Sequence, residues 1–245
     1  MLPPEESELI KRIFKYLLIA LAVLAIAAIW PVYVVYRELE KASSEDPLVW
    51  EKDIARLEQV AIAEPGAVLF VGSSSIRLWP SLPEDMAPLD AVQRGFGGAK
   101  INDVIFYAER LFAAEAPAAI VIFVGTNDIS PGAAKQPTEL LTSYRQMVAA
   151  IRQLHSDVPV YYIAITPSPL RWEVWPLAKA ANELIAQEAG TDASLHIIDT
   201  GPALLTEGKP DPQHYVVDGL HLSESGYALW REIIRDRLLS DLPAP

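Results

Sequence analysis

No cysteine occurs in the 245 residues of the chain. That excludes disulfides, thiolate metal sites, a cysteine nucleophile and a lipid-modified cysteine. Positive charge is also scarce: 20 Lys and Arg stand against 32 Asp and Glu, a net charge of −12. So acidic a chain does not suit a nucleic-acid partner, because phosphate binding needs a basic surface. Internal repeats and low-complexity tracts are missing too. What the chain does have is apolar residues, 51% of the total, which is neither a disordered nor a fibrous composition. Its length suffices for one sizeable core plus an appendage.

The appendage is at the N-terminus. From Tyr16 to Tyr36, YLLIALAVLAIAAIWPVYVVY carries no charge and is long enough for a helix to cross the hydrocarbon core. Lys11, Arg12 and Lys15 precede it, and Trp30, Tyr33 and Tyr36 gather near its far end, where amphipathic rings favour the interface. Pro31 is expected to kink the last turns. The basic flank places residues 1–15 in the cytoplasm and the remaining chain in the periplasm or outside the cell. A cleaved signal peptide would use the small residues of AIAAIW, but the apolar run continues past them. A buried core helix is the third reading, although a helix apolar on every face suits lipid better. The polar segment from Arg37 to Pro47 reads as a juxtamembrane linker, with one folded domain over residues 48–245.

Past the linker, apolar runs alternate with segments of helical period. Strands are expected at Ala67–Val71, Asp90–Gly95, Ala118–Gly125, Val158–Ile165 and Ser194–Asp199. Helices are expected at Trp50–Ala63, Ile101–Ala114, Thr138–His155, Trp172–Ala189 and Ser223–Leu239. Unbroken apolar strands separated by helices specify an α/β fold with a parallel sheet covered on both faces. Such sheets place their sites beyond the carboxyl ends of the strands. Four polar segments stand there: GSSS from Gly72, RGFGGAK from Arg94, GTND from Gly125, and DGLHLSESGY from Asp218.

Each segment has a plain alternative. Three serines after a strand are ordinary turn chemistry, and Asn127 serves equally well in an Asx turn. GFGGAK fits neither glycine-rich phosphate fingerprint; its glycines instead let a backbone amide approach a ligand. Of the four histidines, His155 ends a helix, His196 lies within a strand pattern, and His214 has no obvious partner in sequence. Only His221 has a carboxylate, Asp218, three residues back across a glycine. His214, Asp218 and His221 imitate helical metal-ligand spacing, but Pro212 and Gly219 oppose a helix there, so no metal site is expected.

A serine hydroxyl needs a neighbouring base, and the base needs an orienting group. His221 and Asp218 supply both, and a serine amide, a glycine amide and an asparagine side chain supply oxyanion donors. The order Gly-x-Ser, Gly, Gly-x-Asn-Asp and Asp-x-x-His resembles the SGNH/GDSL hydrolase superfamily, in a branch with GSSSIRLW in place of GDSL. The resemblance covers roughly Ala67 to Trp230. It implies a flavodoxin-like three-layer α/β/α sandwich of about five parallel strands. It implies Ser74 as nucleophile, His221 as base and Asp218 as orienting acid, with Gly98, Asn127 and the Ser74 amide as the oxyanion hole. Ser73 stands where the family has aspartate. The nucleophile elbow of α/β-hydrolases is excluded, because Ile76 occupies its second glycine position.

The expectation is therefore a membrane-anchored serine esterase needing no cofactor. By resemblance its substrates are lipid, acetylated-sugar or small esters. Arg171 and Trp172 follow the fourth strand and are candidates for the substrate pocket, with packing the other reading of Trp172. Two alternatives are an acyltransferase with a sugar hydroxyl as acceptor and an anchored binding module without turnover.

Overall fold

A computed structural model of the chain describes residues 4–132 and 134–243, apart from some side chains of the first helix. It divides into two compact units, residues 1–43 and 44–245. The first is a single helix, α1 (Pro4–Ser43). Its described apolar side chains, among them Leu17, Ile19, Leu24 and Ile29, are exposed. The side chains of Lys11, Ala22, Pro31 and Val32 lie outside the described residues, and with them the expected effect of Pro31. Among the described residues, no helix is long and apolar enough to cross a membrane. The helix also runs through most of the expected linker. Arg-Glu-Leu-Glu-Lys-Ala are good helix formers, and Arg37 pairs with Glu40 at 2.7 Å one turn on. Only Ser44, Glu45 and Asp46 separate α1 from the next helical turn.

The second unit contains a five-stranded parallel sheet of β1 (Val68–Gly72), β2 (Ala91–Gly95), β3 (Ala119–Phe123), β4 (Val160–Ile163) and β5 (Leu195–Ile198). The strand order is β2-β1-β3-β4-β5, the doubly wound arrangement with its switch point between β1 and β3. Strands β1 and β3 are buried along their whole length, as their unbroken apolar sequences require. The connecting helices are α2 (Glu51–Val60), α3 (Ser74–Arg77), α4 (Leu82–Asp85), α5 (Ile101–Phe106), α6 (Ala108–Leu111), α7 (Pro137–Leu154), α8 (Trp175–Ala189) and α9 (Glu224–Asp241). A small hairpin, β6 (Leu205–Thr206) and β7 (Lys209–Pro210), lies outside the main sheet.

Two apolar clusters cover the two faces of the sheet. One contains Trp50, Phe96, Tyr144, Met147 and Ile185; the other contains Phe70, Trp79, Phe123, Tyr227 and Trp230. The three-layer sandwich is thus present. Two helices differ from their expected limits. The helix expected from Ile101 breaks at Tyr107, whose buried ring sends its hydroxyl to the Pro47 carbonyl at 3.0 Å. The helix expected from Trp172 begins with a 3₁₀ turn and becomes α-helical at Trp175, where Pro176, lacking an N–H, fits the first turn.

Candidate active site

The register of the sheet sets the level of the site. Gly72 of β1 pairs with Gly95 of β2 and with Phe123 of β3, so three loops leave the sheet at one height. Any side chain at Gly72 would collide with the Phe123 carbonyl oxygen. With only hydrogen there, the Ser73 amide donates to that oxygen at 3.0 Å. Ser73 is buried, and its carbonyl accepts from the amides of Ile76 and Arg77. The turn thereby places Ser74 at the first position of α3, where an amide has no intrahelical acceptor.

The segment before α9 brings the expected base to Ser74. His221 Nε2 lies 2.8 Å from Ser74 Oγ, and its Nδ1 lies 2.6 Å from Asp218 Oδ2. The second carboxylate oxygen of Asp218 accepts from the amides of Leu220 at 2.8 Å and His221 at 3.0 Å. Partial burial pushes the Asp218 carboxyl up, but the His221 ring and these two amides outweigh it, and its pKa falls below the ordinary value. An ionised Asp218 beside Nδ1 fixes the tautomer that leaves Nε2 free to accept from Ser74. The backbone holding this pair is itself pinned. Tyr215 and Leu222 form a bridge, and the Val216 amide donates to the His221 carbonyl at 2.9 Å.

The expected oxyanion donors come from the loops after β2 and β3. Gly98 has φ +71°, in the left-handed region that favours glycine. Asn127 Nδ2 donates to the Ala99 carbonyl at 3.0 Å. A primary amide carries two N–H groups, and this bond, which fastens Asn127 to the glycine loop, uses one of them.

Sequence reasoning missed the group that joins these loops. Asp128 is buried, accepts from the Ile101 amide at 3.0 Å, and pairs with Lys135 at 2.7 Å. Burial raises its pKa, opposed by the Lys135 charge and these hydrogen bonds. Lys100 on the same glycine loop reaches the Ser44 carbonyl at 3.0 Å and the Glu45 carboxylate. The available signal was Asp128 directly after Asn127; Lys100 and Lys135 carried none.

A small cleft over Ser74 is lined by Thr126, Asn127, Thr166, Ser168 and Leu220 together with the three serines. Arg171 and Trp172 are not part of that lining. The Trp172 ring stacks on Trp175 at 6.4 Å, and burial pushes the Arg171 guanidinium pKa down. The other histidines also have other partners. His155 reaches the Phe112 carbonyl at 2.8 Å, His196 stacks on Tyr161 at 4.5 Å, and His214 faces Ser225.

The alignment of Ser74, His221 and Asp218 is found together with a match to a known family. Residues 66–229 match the GDSL-like Lipase/Acylhydrolase family. The chain is 29% identical over 171 residues to platelet-activating factor acetylhydrolase IB subunit alpha1 of Pongo abelii, covering 66% of this chain and 70% of that protein. The lipase/acylhydrolase from Enterococcus faecalis shares the fold with a TM-score of 0.59 at 21% identity, over 73% of this chain and 98% of that one. A carbohydrate esterase family 3 structure from Talaromyces cellulolyticus gives 0.55 at 18% identity, over 71% and 97%. Matched along the strands and loops that carry the site, the chain belongs to the GDSL-like lipase/acylhydrolase family and is an ester hydrolase.

Proposed function

We propose that the chain is a membrane-anchored serine esterase that works through Ser74, His221 and Asp218. The observation that carries the reading is the continuous relay from Ser74 Oγ through His221 to Asp218, at 2.8 and 2.6 Å. Ser74 Oγ attacks the ester carbonyl as its proton passes to His221 Nε2. The new oxyanion is met by the amides of Ser74 and Gly98 and the side chain of Asn127. When the tetrahedral intermediate collapses, the ester C–O bond breaks and His221 returns the proton to the leaving alcohol. Water, activated in turn by His221, attacks the acyl-enzyme and releases the acid.

Short acyl groups fit best. The cleft over Ser74 encloses about 10 Å³, about the room one water-sized body occupies. The relative from Pongo abelii is named an acetylhydrolase, which agrees. Anchoring through α1 is supported by the uncharged run from Tyr16 to Tyr36 and by the three basic residues before it. By the same basic bias the catalytic unit faces the periplasm or the exterior. The test is a panel of esters graded in acyl length, offered to the full-length protein and to Ser74→Ala. Turnover confined to short acyl groups and abolished by Ser74→Ala is expected. A Ser74→Ala enzyme of undiminished activity would refute the reading.

A further inference from the structure

We propose that Lys100 is a positioning residue, through which the segment Ser44–Trp50 holds the glycine loop in the geometry the reaction needs. The inference rests on the esterase reading above, in which the Gly98 amide meets the oxyanion. It adds what keeps that amide in place.

The loop needs such a hold. Gly97 and Gly98 stand side by side, and Gly98 has φ +71°, so the pair has access to many other backbone conformations. A hydrogen-bond donor helps the reaction only if it already points at the developing charge. Part of the hold comes from the side of the nucleophile. The Phe96 amide donates to the Gly72 carbonyl at 3.0 Å, and the Ala99 carbonyl accepts from Asn127 Nδ2 at 3.0 Å. A side chain on Gly97 would run into the Arg77 guanidinium.

The rest comes from one distant segment. Lys100 Nζ donates to the Ser44 carbonyl at 3.0 Å and to the Glu45 carboxylate. The Trp50 ring packs edge-on against Phe96, with ring centres 5.6 Å apart. Gly98 is therefore midway in the chain between the two loop residues, Phe96 and Lys100, that this segment grips. Just past the loop, the Tyr107 hydroxyl donates to the Pro47 carbonyl at 3.0 Å. Lys100 keeps only 11% of its side chain in water, against 78% for Glu45. An ammonium so far buried needs its acceptors, so the bond fixes a position where an exposed pair would contribute little.

The test compares the full-length chain with Lys100→Met, similar in length but uncharged, and with Glu45→Lys, which sets a second cation beside Lys100 from an exposed position. Active sites are counted by fluorophosphonate titration, so a partly unfolded sample does not pass for a slow one. On p-nitrophenyl acetate, kcat per site should fall about tenfold or more in Lys100→Met and about threefold in Glu45→Lys, with KM little changed. A trifluoromethyl ketone bonds its carbonyl carbon to Ser74 Oγ as the serine proton passes to His221, leaving an oxyanion at the same donors. Its affinity should fall by the same factor as kcat in each variant. A lower Tm with kcat per site and ketone affinity unchanged would make Lys100 purely structural and overturn the inference, as would a rise in KM alone. Glu45→Lys decides by itself if Lys100→Met does not fold. No turnover by the unaltered chain would remove the esterase reading and this inference together.

Discussion

Ser73, Ser74 and Ser75 differ by one position each, yet only Ser74 Oγ lies within reach of His221 Nε2, at 2.8 Å. Ser74→Ala should abolish ester turnover, whereas Ser73→Ala and Ser75→Ala keep a substantial fraction. A fluorophosphonate should label Ser74, as peptide mapping would establish; labelling of either neighbour would displace the assignment. The pH profile follows from the same relay. If His221 is the base it accepts the proton only in its neutral form, so activity should fall in acid. Asp218, held below the ordinary carboxylate value, stays ionised through that fall. The acid limb of log kcat/KM should then have a slope of one proton, and a slope of two would show that Asp218 titrates with it. Asp218→Asn, with the wrong tautomer favoured, should lose on the order of 10⁴ in kcat while the protein stays folded. Asn127 carries a separate test. If its amide is an oxyanion donor it acts in the transition state, so Asn127→Ala should lower kcat by about 10²–10³ with little change in KM. Near-normal kcat in Asn127→Asp would reduce the residue to a turn former.

Among the elements, the segment from Ser44 to Trp50 has the most consequence for the site. Lys100, on the loop that presents Gly98, donates to the Ser44 carbonyl at 3.0 Å and pairs with Glu45. Trp50 packs edge-on against Phe96 of the same loop, with ring centres 5.6 Å apart. A chain starting at Asp46, just ahead of the domain expected from the sequence at residues 48–245, removes both partners of a largely buried ammonium. A chain starting at Ser44 keeps them. The shorter one should be less stable by on the order of 1–3 kcal/mol, the cost of an unsatisfied buried donor. The measurement is the difference in Tm between the two, expected to be several degrees. Equal Tm values would mean that Lys100 finds new partners in water.

At the scale of the whole molecule, apolar clusters cover both faces of the sheet, and α1 is a unit of its own. If α1 anchors the protein, the full-length chain should stay in the membrane fraction after high salt or carbonate. Its C-terminus should be accessible to protease from outside. Release by carbonate, or a protected C-terminus, would contradict the anchor or its orientation.

The sequence by itself determined what depends on local pattern. Unbroken apolar runs such as Val68–Gly72 and Ala119–Phe123, set between helix-period segments, read as strands buried on both faces, and they are. Gly-x-Ser and Asp-x-x-His placed residue types at loop positions where a doubly wound sheet gathers its chemistry. Tertiary structure alone decided what depends on distance across the chain. Ser74 and His221 are 147 residues apart and meet because β1 and the segment before α9 end at one level. Lys100 to Ser44, Asp128 to Ile101 and the break at Tyr107 were equally hidden, because each is a hydrogen bond between segments with no shared periodicity. Such bonds follow from the packing of layers, and packing is a property of the assembled volume rather than of any stretch of sequence.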